Sequence, residues 1–157
     1  MPLGGICFHG AAATEGTLWV GGGTGDYGMS NVVQVLDVGA DADAAAWRSA
    51  DVTPRLSSNR TRLAAAALST DDCPAVSSSP VVCFAGGEGD DDNEEDDEGS
   101  RWACSGSLCM STAVDCFDAV TGEAVETGLK LTEARSRLVG VAVGCTIVFA
   151  GGKTLDG

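Results

Sequence analysis

Apolar residues in this chain gather in short runs, and three of the runs close on a pair of glycines. They are Leu18-Trp19-Val20-Gly21-Gly22-Gly23, Val82-Cys83-Phe84-Ala85-Gly86-Gly87 and Ile147-Val148-Phe149-Ala150-Gly151-Gly152. Counted from Gly22 to Gly86 to Gly151, the spacings are 64 and 65 residues. Recurrence at a near-fixed period marks a repeat architecture. The runs are too short for stable helices and suit buried strands. Paired glycines let the chain turn where a Cβ would clash, or let a neighbouring backbone approach.

Other segments keep order around these runs. Small apolar stretches precede each one: Phe8-His9-Gly10-Ala11-Ala12-Ala13, then Arg62 to Leu68, then Arg137 to Val143. Strand-like segments ending in a turn-forming Asp follow the first two, at 32–37 and 113–118. Trp47 comes after the first of these, and Val125 stands in the matching place after the second. The pattern predicts strands near 8–13, 18–22, 32–37, 45–49, 63–68, 81–85, 113–117, 123–127, 138–143 and 146–150, with little helix. The alanine run at 64–67 has high helix propensity. Its counterpart at 138–143 is rich in Val and Gly, which favours a strand for both. Small residues in the first strand of each unit suit a place where strands crowd together.

This order resembles the kelch repeat. The resemblance rests on the glycine pairs 22/23, 86/87 and 151/152, on Asp37 and Asp118, on Trp47, and on the Arg-led small strands opening at Arg62 and Arg137. It implies an all-β fold of kelch-type β-propeller blades, four-stranded and antiparallel, about two and a half in number. The first blade spans 8–49, the second 63–127 with an insertion at 88–111, and a third starts at 138–157, so 1–157 reads as a partial propeller. These repeats exceed the family's usual length of about 50 residues. The excess sits at 69–80 and 88–111, which read as loop insertions. Two and a half blades do not close a ring of four to eight. The remaining blades are expected from a longer chain or from self-association, and the isolated chain is expected to aggregate, oligomerise or melt at low temperature.

Charge alters this picture in one region. The formal net charge is −14, and nine of the 23 acidic residues lie between Glu88 and Glu98. So acidic a chain argues against nucleic-acid and anionic-lipid partners. The acidic segment 88–98 reads as a mobile, solvated and dispensable loop. Calcium is the alternative for its carboxylates, but they lack EF-hand spacing. No apolar run reaches the ~20 residues of a membrane span. The start of the chain shows no secretory signal, so the cytoplasm, or the nucleus, is expected. In that setting the seven cysteines are expected to be reduced. The sequon Asn59-Arg60-Thr61 then reads as chance.

Four further features invite chemistry. Gly23-Thr24-Gly25-Asp26-Tyr27-Gly28 fits G-x-G-x-x-G, but a strand rather than a helix follows, which leaves no helix N-terminus for a pyrophosphate. Cys104 and Cys109 lack the further ligands of a structural zinc site and read as thiols beside a segment in which Trp102, Leu108 and Met110 fold onto the blade. His9, the single histidine, has no nucleophile at a recognisable spacing and reads as a packed polar residue. Arg60/Arg62 and Arg135/Arg137 form the same Arg-x-Arg at one phase of two repeats. By the resemblance, Arg62 and Arg137 stand at the mouth of a propeller channel, where kelch proteins that take acidic peptides place ligand-binding arginines.

The expected function is a protein-interaction module, a scaffold or substrate receptor without catalysis, cofactor or metal. Its expected partner is a protein or peptide of acidic character bound at Arg62 and Arg137. No BTB-like or F-box-like segment is present in these residues. The alternative is a fragment of a kelch-fold enzyme of oxidase, specifier or epimerase type, with its active site outside this chain. Galactose-oxidase-like copper binding uses Tyr and His, and Tyr27 and His9 alone cannot build it.

Overall fold

The structure, a computed structural model, describes residues 7–38, 45–49, 53–71, 73–74, 79–89 and 101–156. In chain order its strands are β1 (Gly10–Thr14), β2 (Thr17–Gly21), β3 (Thr24–Gly25), β4 (Gly28–Met29), β5 (Val33–Asp37), β6 (Ala46–Trp47), β7 (Ala64–Leu68) and β8 (Val81–Ala85). There follow β9 (Glu88–Gly89), β10 (Trp102–Ser105), β11 (Leu108–Ser111), β12 (Val114–Asp118), β13 (Ala124–Val125), β14 (Val139–Val143) and β15 (Thr146–Ala150). The fold is all-β and antiparallel among the described residues. No helix there is long and apolar enough to cross a membrane.

Two four-stranded sheets share one design, β1-β2-β5-β6 and β7-β8-β12-β13. The hairpin β14–β15 repeats the first half of it. β1 lies beside β7, and β7 beside β14, so the first strands of successive sheets are neighbours. Their small residues make this possible. A Cβ on Gly10 would sit 3.3 Å from the Ala64 carbonyl carbon, and one on Gly140 would sit 2.6 Å from the Ala65 carbonyl oxygen.

Strand alternation then sorts the side chains. Trp19, Val33, Val35, Val82, Phe84 and Phe117 are buried between the two four-stranded sheets. Trp19 stacks with Phe117, and Phe84 meets Phe117 edge-on, both at 6.2 Å between centroids. Ala64, Ala85 and Leu138 form a second cluster with Val114, Leu131 and Phe149, which ties the second sheet to the last hairpin. Of the two strand-end aspartates, one forms the expected turn and the other an ion pair. Asp118 accepts the N–H groups of Val120 and Thr121 at 2.9 and 2.8 Å, closing a turn, and Asp37 pairs with Arg48 at 2.9 Å.

The glycine pairs do more than turn the chain. In two successive units the second glycine donates its N–H to an arginine carbonyl of the next unit: Gly23 to Arg60 at 2.8 Å and Gly87 to Arg135 at 2.9 Å. The first glycines, Gly22 and Gly86, have φ of 66° and 65° and leave no room for a Cβ. It would strike that same carbonyl and a leucine, Leu63 or Leu138.

Several expectations need correction. The cysteines are not all free thiols: Cys73–Cys145, Cys83–Cys116 and Cys104–Cys109 are disulfides, and Cys7 is free. Cys83 faces Cys116 directly across β8–β12, and Cys104 faces Cys109 across β10–β11, a register that sequence spacing does not reveal. The insertion 88–111 is not simply a loop. Its ends form the three-stranded sheet β10-β11-β9, with Met110 fully buried while Leu108 stays exposed. Glu88 is no part of a solvated run, being 6% exposed, whereas the acids at 90–98 lie outside the described residues. His9 is exposed rather than packed. The G-x-G-x-x-G stretch forms the β3–β4 hairpin.

Candidate functional site

The residue two positions before each first strand adopts a left-handed conformation. Phe8, Arg62 and Arg137 have φ of 59°, 55° and 58°. Such values are uncommon for a residue with a side chain, and they recur here at one phase of three units. A backbone ladder holds them. Arg62 N–H donates to the Phe8 carbonyl at 2.6 Å, and Arg137 N–H donates to the Arg62 carbonyl at 2.8 Å. The preceding residues, Cys7, Thr61 and Ser136, each bridge to the residue that follows a glycine pair: Thr24, Glu88 and Lys153. Two repeating elements therefore carry Phe8, Arg62, Arg137 and Glu88 to one place.

The structure brings Arg62 and Arg137 together on Glu88. Arg62 Nη1 bonds Glu88 Oε2, and Arg137 Nε lies 3.5 Å from Oε1, which also accepts the Ser136 hydroxyl at 2.8 Å. Arg62 Cζ sits 4.6 Å above the Phe8 ring, a cation–π arrangement. The side chains of Arg62 and Arg137 are 31% and 58% exposed, while that of Glu88 is 8% exposed. One buried carboxylate thus orients two guanidiniums and leaves the site with net positive charge. Burial pushes the Glu88 carboxyl up. Hydrogen bonds from Ser136 and Arg62, with the charges of Arg62 and Arg137, outweigh that and hold it below the usual value.

The other arginine of each Arg-x-Arg has a different task. Arg60 is fully buried, donating to the carbonyls of Gly86 at 2.9 Å and Ala113 at 3.2 Å and pairing with Asp115. Arg135 donates to the Gly151 carbonyl at 2.8 Å. Both brace the glycine turn of their own unit. Sequence reasoning missed Glu88, Ser136 and Phe8. The available signal was position: Glu88 follows the glycine pair as Thr24 and Lys153 do.

Replacing Glu88 with Gln is expected to cost about 1–3 kcal/mol of stability in urea unfolding at neutral pH, because two guanidiniums lose their shared charge. The folded-state carboxyl lies below its ordinary value, so this stabilisation is present above the ordinary carboxylate pKa. It fades as pH falls through the lower, folded value. The difference between the native chain and Glu88→Gln should therefore close in acid. A difference independent of pH would assign Glu88 to packing alone.

No family model and no curated protein matches this sequence. Among solved structures, 84 chains match. One is the structure of YjhT, with TM-score 0.67 and 20% identity over 99% of this chain. This chain spans 41% of the length of that one. At that identity the likeness concerns the fold.

Proposed function

We propose that this chain supplies kelch-type blades of a β-propeller and serves as a protein-interaction module without catalysis of its own. The two four-stranded sheets are read as blades over 8–49 and 63–127, with a third begun at 138–157. The Arg62–Arg137 pair is its binding site for an acidic protein segment. The observation that carries this reading is the ladder Phe8-Arg62-Arg137, held on the shared Glu88. Uncommon backbone conformations persist where surrounding structure enforces them, and they cluster at functional positions. Arg137 keeps more than half of its side chain exposed and is free to meet a carboxylate in charge-assisted bonds. Further units, from a longer chain or another copy, would cover the exposed Val139, Val141 and Val143 of β14. The three disulfides favour an oxidising compartment over the cytoplasm or nucleus expected from the sequence.

The test is fluorescence anisotropy with a labelled, Asp- and Glu-rich peptide. Changing Arg62 and Arg137 together to Ala is expected to weaken binding at least about tenfold, for two lost charge-assisted contacts. Unchanged binding by a folded double variant would assign both arginines to blade assembly.

A further inference from the structure

Three asparagines occur in the chain, and only one heads an N-x-S/T sequence, Asn59-Arg60-Thr61. That sequence, with x not proline, is the acceptor for asparagine-linked glycans on the surface loops of secreted proteins. In a cytosolic chain the match is a coincidence. Six of the seven cysteines are paired, which removes the cytosolic premise. The lumen in which such glycans are added is also a compartment where disulfides form and persist.

The surroundings suit a modified side chain. Asn59 is exposed, in the connection between β6 and β7. The backbone on either side is held: the N–H groups of Leu56 and Arg60 donate to the carbonyls of Asn31 and Ser30 at 2.7 and 3.1 Å. Leu56 and Arg60 are themselves buried. A glycan on Asn59 therefore extends into water and displaces no packed side chain. Thr61 is placed differently. It is 7% exposed, its hydroxyl donates to the Phe8 carbonyl at 3.3 Å, and its N–H donates to the Glu88 carbonyl at 2.8 Å. A transferase that must read this hydroxyl can do so only before the Thr61–Glu88 bridge closes.

We infer that Asn59 carries an N-linked glycan, added before this connection folds. The donor is an oligosaccharide on a polyprenyl diphosphate. Asn59 Nδ2 attacks its anomeric carbon, an N–C bond forms, the C–O bond to the diphosphate breaks, and one amide proton is released to solvent. Nothing is oxidised or reduced. The inference rests on the oxidising compartment read from the disulfides and is independent of the Arg62–Arg137 site.

Peptide mapping of the protein isolated from its own cells, treated with peptide-N-glycosidase in heavy-oxygen water, tests it. The tryptic peptide 56–60 is expected to be missing at its unmodified mass before the enzyme acts. Afterwards it should appear with a heavy-oxygen-labelled aspartate at position 59. When the full chain is secreted from cultured cells behind an added leader, Asn59→Gln, at an exposed position, should abolish the enzyme-sensitive mass shift while the disulfides still form. Thr61→Ala should abolish it too, and Thr61→Ser should retain it. An unmodified 56–60 peptide in the native protein, or a mass shift that survives Asn59→Gln, overturns the inference. Alkylation of the unreduced native protein separates the two readings. A missing glycan with one reactive cysteine overturns the glycan alone, and a missing glycan with seven overturns the compartment as well.

Discussion

Reduction of the three disulfides is expected to unfold the chain at room temperature. Cross-linking lowers the entropy of the unfolded chain by an amount that grows with the loop closed. Cys73–Cys145 spans 72 residues, Cys83–Cys116 spans 33, and Cys104–Cys109 spans 5. On the chain-entropy relation these contribute about 4.4, 3.7 and 2.1 kcal/mol. Their sum is comparable to the whole stability of an ordinary domain, about 5–15 kcal/mol. Cys73–Cys145 has a further role, because it joins the β7–β8 connection to the β14–β15 turn and so clamps the last hairpin to the second sheet. Replacing this pair by Ser should lower the urea midpoint most, the Cys83/Cys116 pair next, and the Cys104/Cys109 pair least. The measurement is urea unfolding with and without a phosphine reductant. A midpoint unmoved by reductant would show that these cysteines are not bonded in the folded protein.

Strands were legible where apolar runs were bounded by glycine or aspartate, and a strand occurs at each of the ten expected places. The five others, β3, β4, β9, β10 and β11, have two to four residues each and too little period to register as a pattern. Cysteine pairing depended on register, which only the folded sheets define: Cys83 meets Cys116 because β8 and β12 align Val82 with Phe117. At the candidate site, repeat phase singled out Arg62 and Arg137 but not the division of labour within Arg-x-Arg. Nothing local distinguishes Arg60, fully buried, from Arg62, at the surface two residues on. Glu88 was hidden by its neighbours. Read as the first acid of a charged run, it looked solvated; read as the residue after a glycine pair, it belongs to the backbone bridge Thr61–Glu88, which recurs as Cys7–Thr24 and Ser136–Lys153.

The glycine pairs offer a sharper test of how successive units depend on one another. Gly86 and Gly151 hold the same place in their units and similar backbones, with φ of 65° and 72°. Their surroundings differ. A Cβ on Gly86 would lie 2.5 Å from the Arg135 carbonyl oxygen and 2.9 Å from Leu138 Cδ2, whereas one on Gly151 would meet nothing within 4 Å. Gly151→Ala is therefore expected to cost only the conformational penalty of a left-handed alanine, about 1 kcal/mol. Gly86→Ala should cost at least about 3 kcal/mol. It pushes apart the carbonyl that accepts Gly87 N–H and the leucine that closes the second cluster. Urea unfolding of both variants decides the point, and equal losses would mean that the close approach of the next unit is not a source of stability. The comparison also reports on what covers the last hairpin. If a further unit docks on β14–β15 as that hairpin docks on the second sheet, Gly151 acquires the neighbours that Gly86 has. Gly151→Ala should then become as costly as Gly86→Ala, and only in the assembled state.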